Sequence, residues 1–158
     1  MMPTNPVEQL AIAKAMREWL WLYPSVEIVH IVGLAILVGS VAMFDLRVLG
    51  LSKSISVRAL SRHLLPWSLG ALALIVPTGL LMFSAHASDF LTNQAFLLKM
   101  GLLLAAGLNA AYFHVGPYQS VKSWDVAVAA PLAAKLSVAL SLVLWLGVIA
   151  CGRLLAYL

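Results

Sequence analysis

The sequence predicts an all-α integral membrane protein: a four-helix bundle preceded by a short amphipathic helix at the membrane interface. Hydrophobic residues make up 63% of the chain and charged residues 10%. A soluble domain carries ~25% charged residues, so this chain has too little polar surface to stay in water. Its apolar residues gather into four stretches, each near the ~20 residues that cross a ~30 Å hydrocarbon layer. No period-2 alternation runs through them, and a helix bonds all of its own backbone groups when lipid offers none.

The elements follow in order. Pro6 to Leu22 mixes Glu8, Lys14, Arg17 and Glu18 with Leu10, Ile12, Met16 and Trp19, the pattern of a helix lying in the headgroup layer. The run Trp19-Leu20-Trp21-Leu22-Tyr23 reads as an interfacial aromatic belt, and Pro24 is expected to break it from the first span. The spans are predicted over about 25–44, 64–85, 95–115 and 131–157. The organisation is therefore an interfacial segment, 1–24, and one transmembrane domain, 25–158. Pro77 is expected to kink the second span. Gly101 with Ala105, Ala106 with Ala110 and Gly107 with Ala111 place small residues at four-residue steps in the third. Such rows permit close helix approach within the bundle or in a homo-oligomer.

Charge sets the expected orientation. Arg47, Lys53, Arg58, Arg62, Lys122 and Lys135 lie on the side of loops 45–63 and 116–135, against Lys14, Arg17, Lys99 and Arg153 on the side of the termini. The first side is expected to be cytoplasmic, with both termini periplasmic in a bacterial inner membrane. Residues 1–24 have no basic region followed by an apolar run, so they do not read as a cleaved signal. The formal net charge of +4 is scattered, without a basic stripe or a nucleic-acid motif; bilayer headgroups are the partner it implies. A lone cysteine, Cys151, forms neither a disulfide framework nor a zinc site. The chain also lacks a phosphate-binding glycine loop, a nucleophile elbow and acidic runs within the spans, which removes NTPase, hydrolase and ion-pump readings.

Polar side chains inside a membrane are costly, so candidate chemistry is sought there. Glu27 and His30 are three apart on one helical face and can share an ion, a proton or a ligand. Antiparallel threading puts His63 level with His114 near the inner face, and His30 level with His86 near the outer face. Histidines from different helices at one depth are what a b-type haem needs. Lys99 can snorkel, neutralise Glu27 or meet a haem propionate. Asp45 and Arg47 are expected on different sides of the helix, Arg47 reaching lipid phosphate and Asp45 meeting Arg62 or Lys135. Asn109 is expected to hydrogen-bond between helices.

Haem b bound by these histidines, with electrons passing to a quinone or another redox partner, is the leading expectation. A copper or iron site at Glu27, His30 and His86 is the alternative, and a structural or partner-binding scaffold is the third.

The segments Trp21-Leu22-Tyr23-Pro24-Ser25-Val26-Glu27-Ile28-Val29-His30, Asp45-Leu46-Arg47-Val48-Leu49-Gly50, Leu64-Leu65-Pro66-Trp67, Asn93 to Met100 and Leu108 to His114 also carry a resemblance. They look like a bacterial family of small four-helix membrane proteins of uncharacterised activity, over nearly the whole chain from Trp19. Glu27, His30, Asp45, Arg47, Lys99, Asn109 and His114 match that family's pattern; His63 and His86 do not belong to it. More distantly, the layout is similar to four-helix b-type membrane cytochromes and to membrane components of copper-resistance systems.

Overall fold

A computed structural model describes residues 5–155 and Tyr157. Its helices are α1 (Ala11–Glu18), α2 (Leu22–Leu49), α3 (Val57–Ala85), α4 (Ala87–Thr92), α5 (Gln94–Val115) and α6 (Leu132–Leu154), with 3-10 turns at Pro6–Gln9 and Pro117–Ser123. Helices α2, α3, α5 and α6 are long and apolar enough to cross a membrane. Their lipid-facing sides carry the exposed Leu, Ile and Val residues that water would not tolerate. One end of the bundle holds both termini and α4 and is called the terminal end; the other, with the α2–α3 and α5–α6 connections, is the loop end.

Two helices overrun their predicted limits. α2 begins at Leu22, so Pro24 lies in its first turn rather than at a break. Proline is tolerated there because the N–H it lacks has no partner within the helix. The chain turns instead at Trp19 to Trp21. At its other end α2 continues past Phe44 to Leu49 and is closed by Gly50 at φ 122°, whose N–H reaches Leu46 O and Arg47 O. α3 starts at Val57, seven residues ahead of the predicted Leu64, and runs unbroken through Pro66 and Pro77. The short helix α4 was not expected.

The apolar face of α1 docks on the terminal end of α3, with Ala13 0% and Met16 1% exposed. Arg17 donates to Ala85 O at 3.0 Å and to Glu8 O at 2.7 Å. Glu8 accepts from the Ser88 N–H at 2.6 Å. That backbone bond, with the Ser88 hydroxyl and the charges of Arg17 and His86, outweighs desolvation and holds the Glu8 carboxyl below its usual range.

The packed pairs run α3–α2, α2–α6 and α6–α5, and this ring does not close between α5 and α3. α2 meets α3 closely at Gly33, where a Cβ would lie 2.9 Å from Ile75 Cγ1. α5 meets α6 through a reciprocal pair: Asn109 Nδ2 donates to Ser137 O and Ser137 Oγ to Asn109 Oδ1, both at 2.9 Å. At the terminal end, Phe83 of α3 stacks on Phe96 of α5 with centroids 5.7 Å apart, and Phe90 of α4 stacks on both.

At the loop end Arg47 is 4% exposed. It does not reach for lipid phosphate. Its guanidinium donates to Ile55 O at 2.6 Å, Lys53 O at 3.1 Å and Asp125 O at 2.9 Å, tying both connections to α2. The Asp125 carboxylate caps α3 by accepting from Ser56 Oγ and the Arg58 N–H. Desolvation opposes its ionisation, but these donors and the Arg58 charge prevail and keep the carboxyl below its usual range.

Candidate functional site

The loop half of the bundle holds a cavity of about 450 Å³. All four spans contribute to its wall: Leu37 to Asp45 from α2, Ser61 to Leu72 from α3, Leu103 to His114 from α5 and Ser137 to Trp145 from α6. The size is that of a small-molecule site, and such sites are apolar with a few placed polar groups. Here the walls are mostly Leu, Val, Ala and aromatic rings, interrupted by serine hydroxyls and one carboxylate.

That carboxylate is Asp45, 3% exposed. Ser141 of α6 is its neighbouring hydroxyl. Its Oδ2 has no hydrogen-bond partner among the described residues. The expected partners do not take it: neither Arg62 nor Lys135 lines the cavity. The i, i+2 spacing does separate it from Arg47 as expected, one side chain turning to the cavity and the other to the loop-end carbonyls. Buried polar atoms are normally bonded, so this orphaned carboxylate oxygen is an unmet bonding demand in the cavity wall.

His114 is the one histidine that lines this cavity. Its Nδ1 lies 2.8 Å from Ala110 O. A carbonyl can only accept, so Nδ1 carries the proton and Nε2 presents a lone pair. His63 is exposed on α3 outside the cavity, so the two loop-end histidines do not face one ligand.

The histidines nearer the terminal end also stand apart. His30 Nδ1 is 2.9 Å from Thr78 Oγ1. The Thr78 hydroxyl gives its own proton to Leu74 O at 2.6 Å, so His30 donates to Thr78, with the Ile75 carbonyl a further hydrogen-bond partner of the ring. Gly79 makes room for the ring, since a Cβ there would meet His30 Cε1 at 3.2 Å. His86 instead ends α3 beside Tyr23, ring centroids 5.6 Å apart. Gly79 and His86 are seven residues apart, or ~10 Å along the helix.

Glu27 is exposed, and His30 takes Thr78 rather than Glu27 as its hydrogen-bond partner. Lys99 turns toward α6, its Nζ 3.8 Å from where a Gly152 Cβ would stand. Among the described residues no three His, Cys, Asp or Glu side chains gather as a metal site, so Glu27, His30 and His86 are not assembled into one.

Residues 22–158 match a family of unknown function (DUF6644). The chain belongs to this family. No curated protein and no solved structure matches it. The matched span takes in the whole cavity and leaves α1 outside.

Proposed function

We propose that this chain is a membrane-embedded binding protein whose cavity takes an apolar, bilayer-soluble molecule, with Asp45 as its polar anchor. The observation behind this reading is the unpartnered Oδ2 of Asp45 in the wall of a 450 Å³ cavity bordered by all four spans. The unclosed seam between α3 and α5 gives such a molecule a route in from lipid. Gly107 supplies the test. It lines the cavity, and a Cβ built on it meets nothing within 4 Å, so a large side chain can fill the space without displacing a helix. Mass spectrometry of protein purified in mild detergent should find a small molecule with the wild type and none with Gly107→Phe. Equal recovery from both proteins, or from neither, would count against the cavity as its site.

A second reading, b-type haem with electron transfer to a quinone or membrane redox partner, is favoured by His114. Its Nδ1–H is anchored on a carbonyl and its Nε2 is free, the arrangement of a ligating imidazole. Against it, no second histidine borders the cavity, and neither Lys nor Arg does so to meet propionates. An absorbance spectrum of the same preparation decides. A Soret band lost in His114→Ala supports haem, and a colourless sample removes it.

We also place the loop end in the cytoplasm of a bacterial inner membrane, on the excess of Lys and Arg there. Homo-oligomer contact along α5 is consistent with Gly101, where an added Cβ would meet no packed neighbour within 4 Å among the described residues. Cross-linking in native membranes tests that contact.

A further inference from the structure

We infer that the molecule this cavity takes is a lipid-soluble organic cation, of the quaternary ammonium or phosphonium class; the inference rests on the cavity reading above. It follows from the sign and shape of the wall. Asp45 is the one carboxylate there, and no Lys or Arg borders the cavity among the described residues. His114, the only other titratable group of the wall, already spends its ring N–H on Ala110 O. An ionised carboxylate away from water needs a counter-charge, and the protein supplies none at Oδ2.

The aromatic wall suits the same ligand. Phe44, Phe113 and Trp145 border the space beside Asp45, and Phe44 meets Phe113 edge to face at 5.6 Å. Ring faces carry negative electrostatic potential and attract cations that have shed their water. Five serines border the wall, but Ser68 already gives its hydroxyl proton to Leu64 O and Ser137 gives its own to Asn109. A strongly hydrated metal ion would find one carboxylate and, among the described residues, no cluster of His, Cys, Asp or Glu to replace its water. A bulky cation with an apolar surface loses little hydration on entering and gains the carboxylate. An anion would meet Asp45 at close range and be rejected.

Three probes of similar shape separate charge from size: tetraphenylphosphonium, tetraphenylborate and neutral triphenylphosphine oxide. Binding is measured by calorimetry on the full chain in an uncharged maltoside detergent, with empty micelles as the blank. The wild type should bind the phosphonium at least tenfold more tightly than either of the others. Asp45→Asn, which keeps size and shape, should remove that preference, with folding checked by circular dichroism and melting. Gly107→Phe should abolish binding of every probe.

If the wild type binds all three alike and Gly107→Phe removes them, the cavity stands and the cation inference fails. Phosphonium binding that survives Asp45→Asn also overturns the inference. Phosphonium binding that survives Gly107→Phe lies elsewhere and overturns the cavity reading as well, as does binding of no probe.

Discussion

His30 shows how a single side chain is set in this bundle. Its ring needs the hydroxyl of Thr78 for a partner and the missing side chain of Gly79 for space. Thr78→Val keeps the branched shape and removes the hydroxyl acceptor, so the imidazole loses its bond to Thr78 in a half-buried site and keeps only the Ile75 carbonyl. A bond of this kind contributes ~1 kcal/mol, and an orphaned group costs ~1–3 kcal/mol. Thr78→Val should therefore lower apparent thermal stability in detergent by about that amount, with Gly79→Leu costing more because it displaces the ring. Thermal melts of the two variants beside wild type check the order; equal melting of all three would mean that the slot does not hold His30. His30 itself was legible, because an ionisable residue in an apolar run stands out. Thr78 and Gly79 were not, since helix-to-helix facing depends on rotations that spacing within one span does not fix. Asp45 was visible but read as a partner of Arg62 or Lys135. The continuing apolar residues Leu46, Val48 and Leu49 were the available sign that the helix carries on and buries it.

The connections at the loop end behave as one structural element. Arg47 serves three carbonyls on two loops, and no other residue combines that reach with so many donors. Arg47→Met should leave those carbonyls unpaired and cost ~3 kcal/mol or more. Arg47→Lys should recover only part, because an ammonium cannot span the fork. Melting in detergent and proteolysis within 50–56 report this; an Arg47→Met protein as resistant as wild type would contradict it.

Asp125 adds a pH dependence of definite sign. A carboxyl held below its usual range when folded contributes stability that is fully present above the unfolded value, near ~4. The contribution is lost as pH falls through the lower folded value. Asp125→Asn should thus melt below wild type at pH 7, the gap narrowing toward pH 3. A gap that is unchanged or wider in acid would show that the cap does not act through charge. Arg47 was expected at lipid phosphate because sequence hydropathy places a charge near a span's end without showing which loop folds back over it.

For the molecule as a whole, four crossings require both ends on one face. Epitopes placed before α1 and after α6 should be cleaved together, or protected together, in sealed vesicles of one orientation. One cleaved and one protected would break the four-span arrangement. This level was the most legible, since bilayer thickness turns hydropathy directly into helix number. The unclosed ring of helices was hidden. Small residues along α5 suggested close approach, yet Gly101 and Gly107 have open space above them, and α5 packs on α6 through Asn109 and Leu102 instead.

The stack of Phe83, Phe90 and Phe96 seals the seam between α3 and α5 at the terminal end, while the cavity lies beyond it toward the loops. If a molecule enters through this seam, as proposed, the opening is one-sided with respect to the bilayer. A molecule dissolved in the monolayer next to the loops meets it directly, whereas one delivered to the opposite monolayer must first cross the midplane. Occupancy would then register how a compound is shared between the two monolayers, and not merely how much of it the membrane holds.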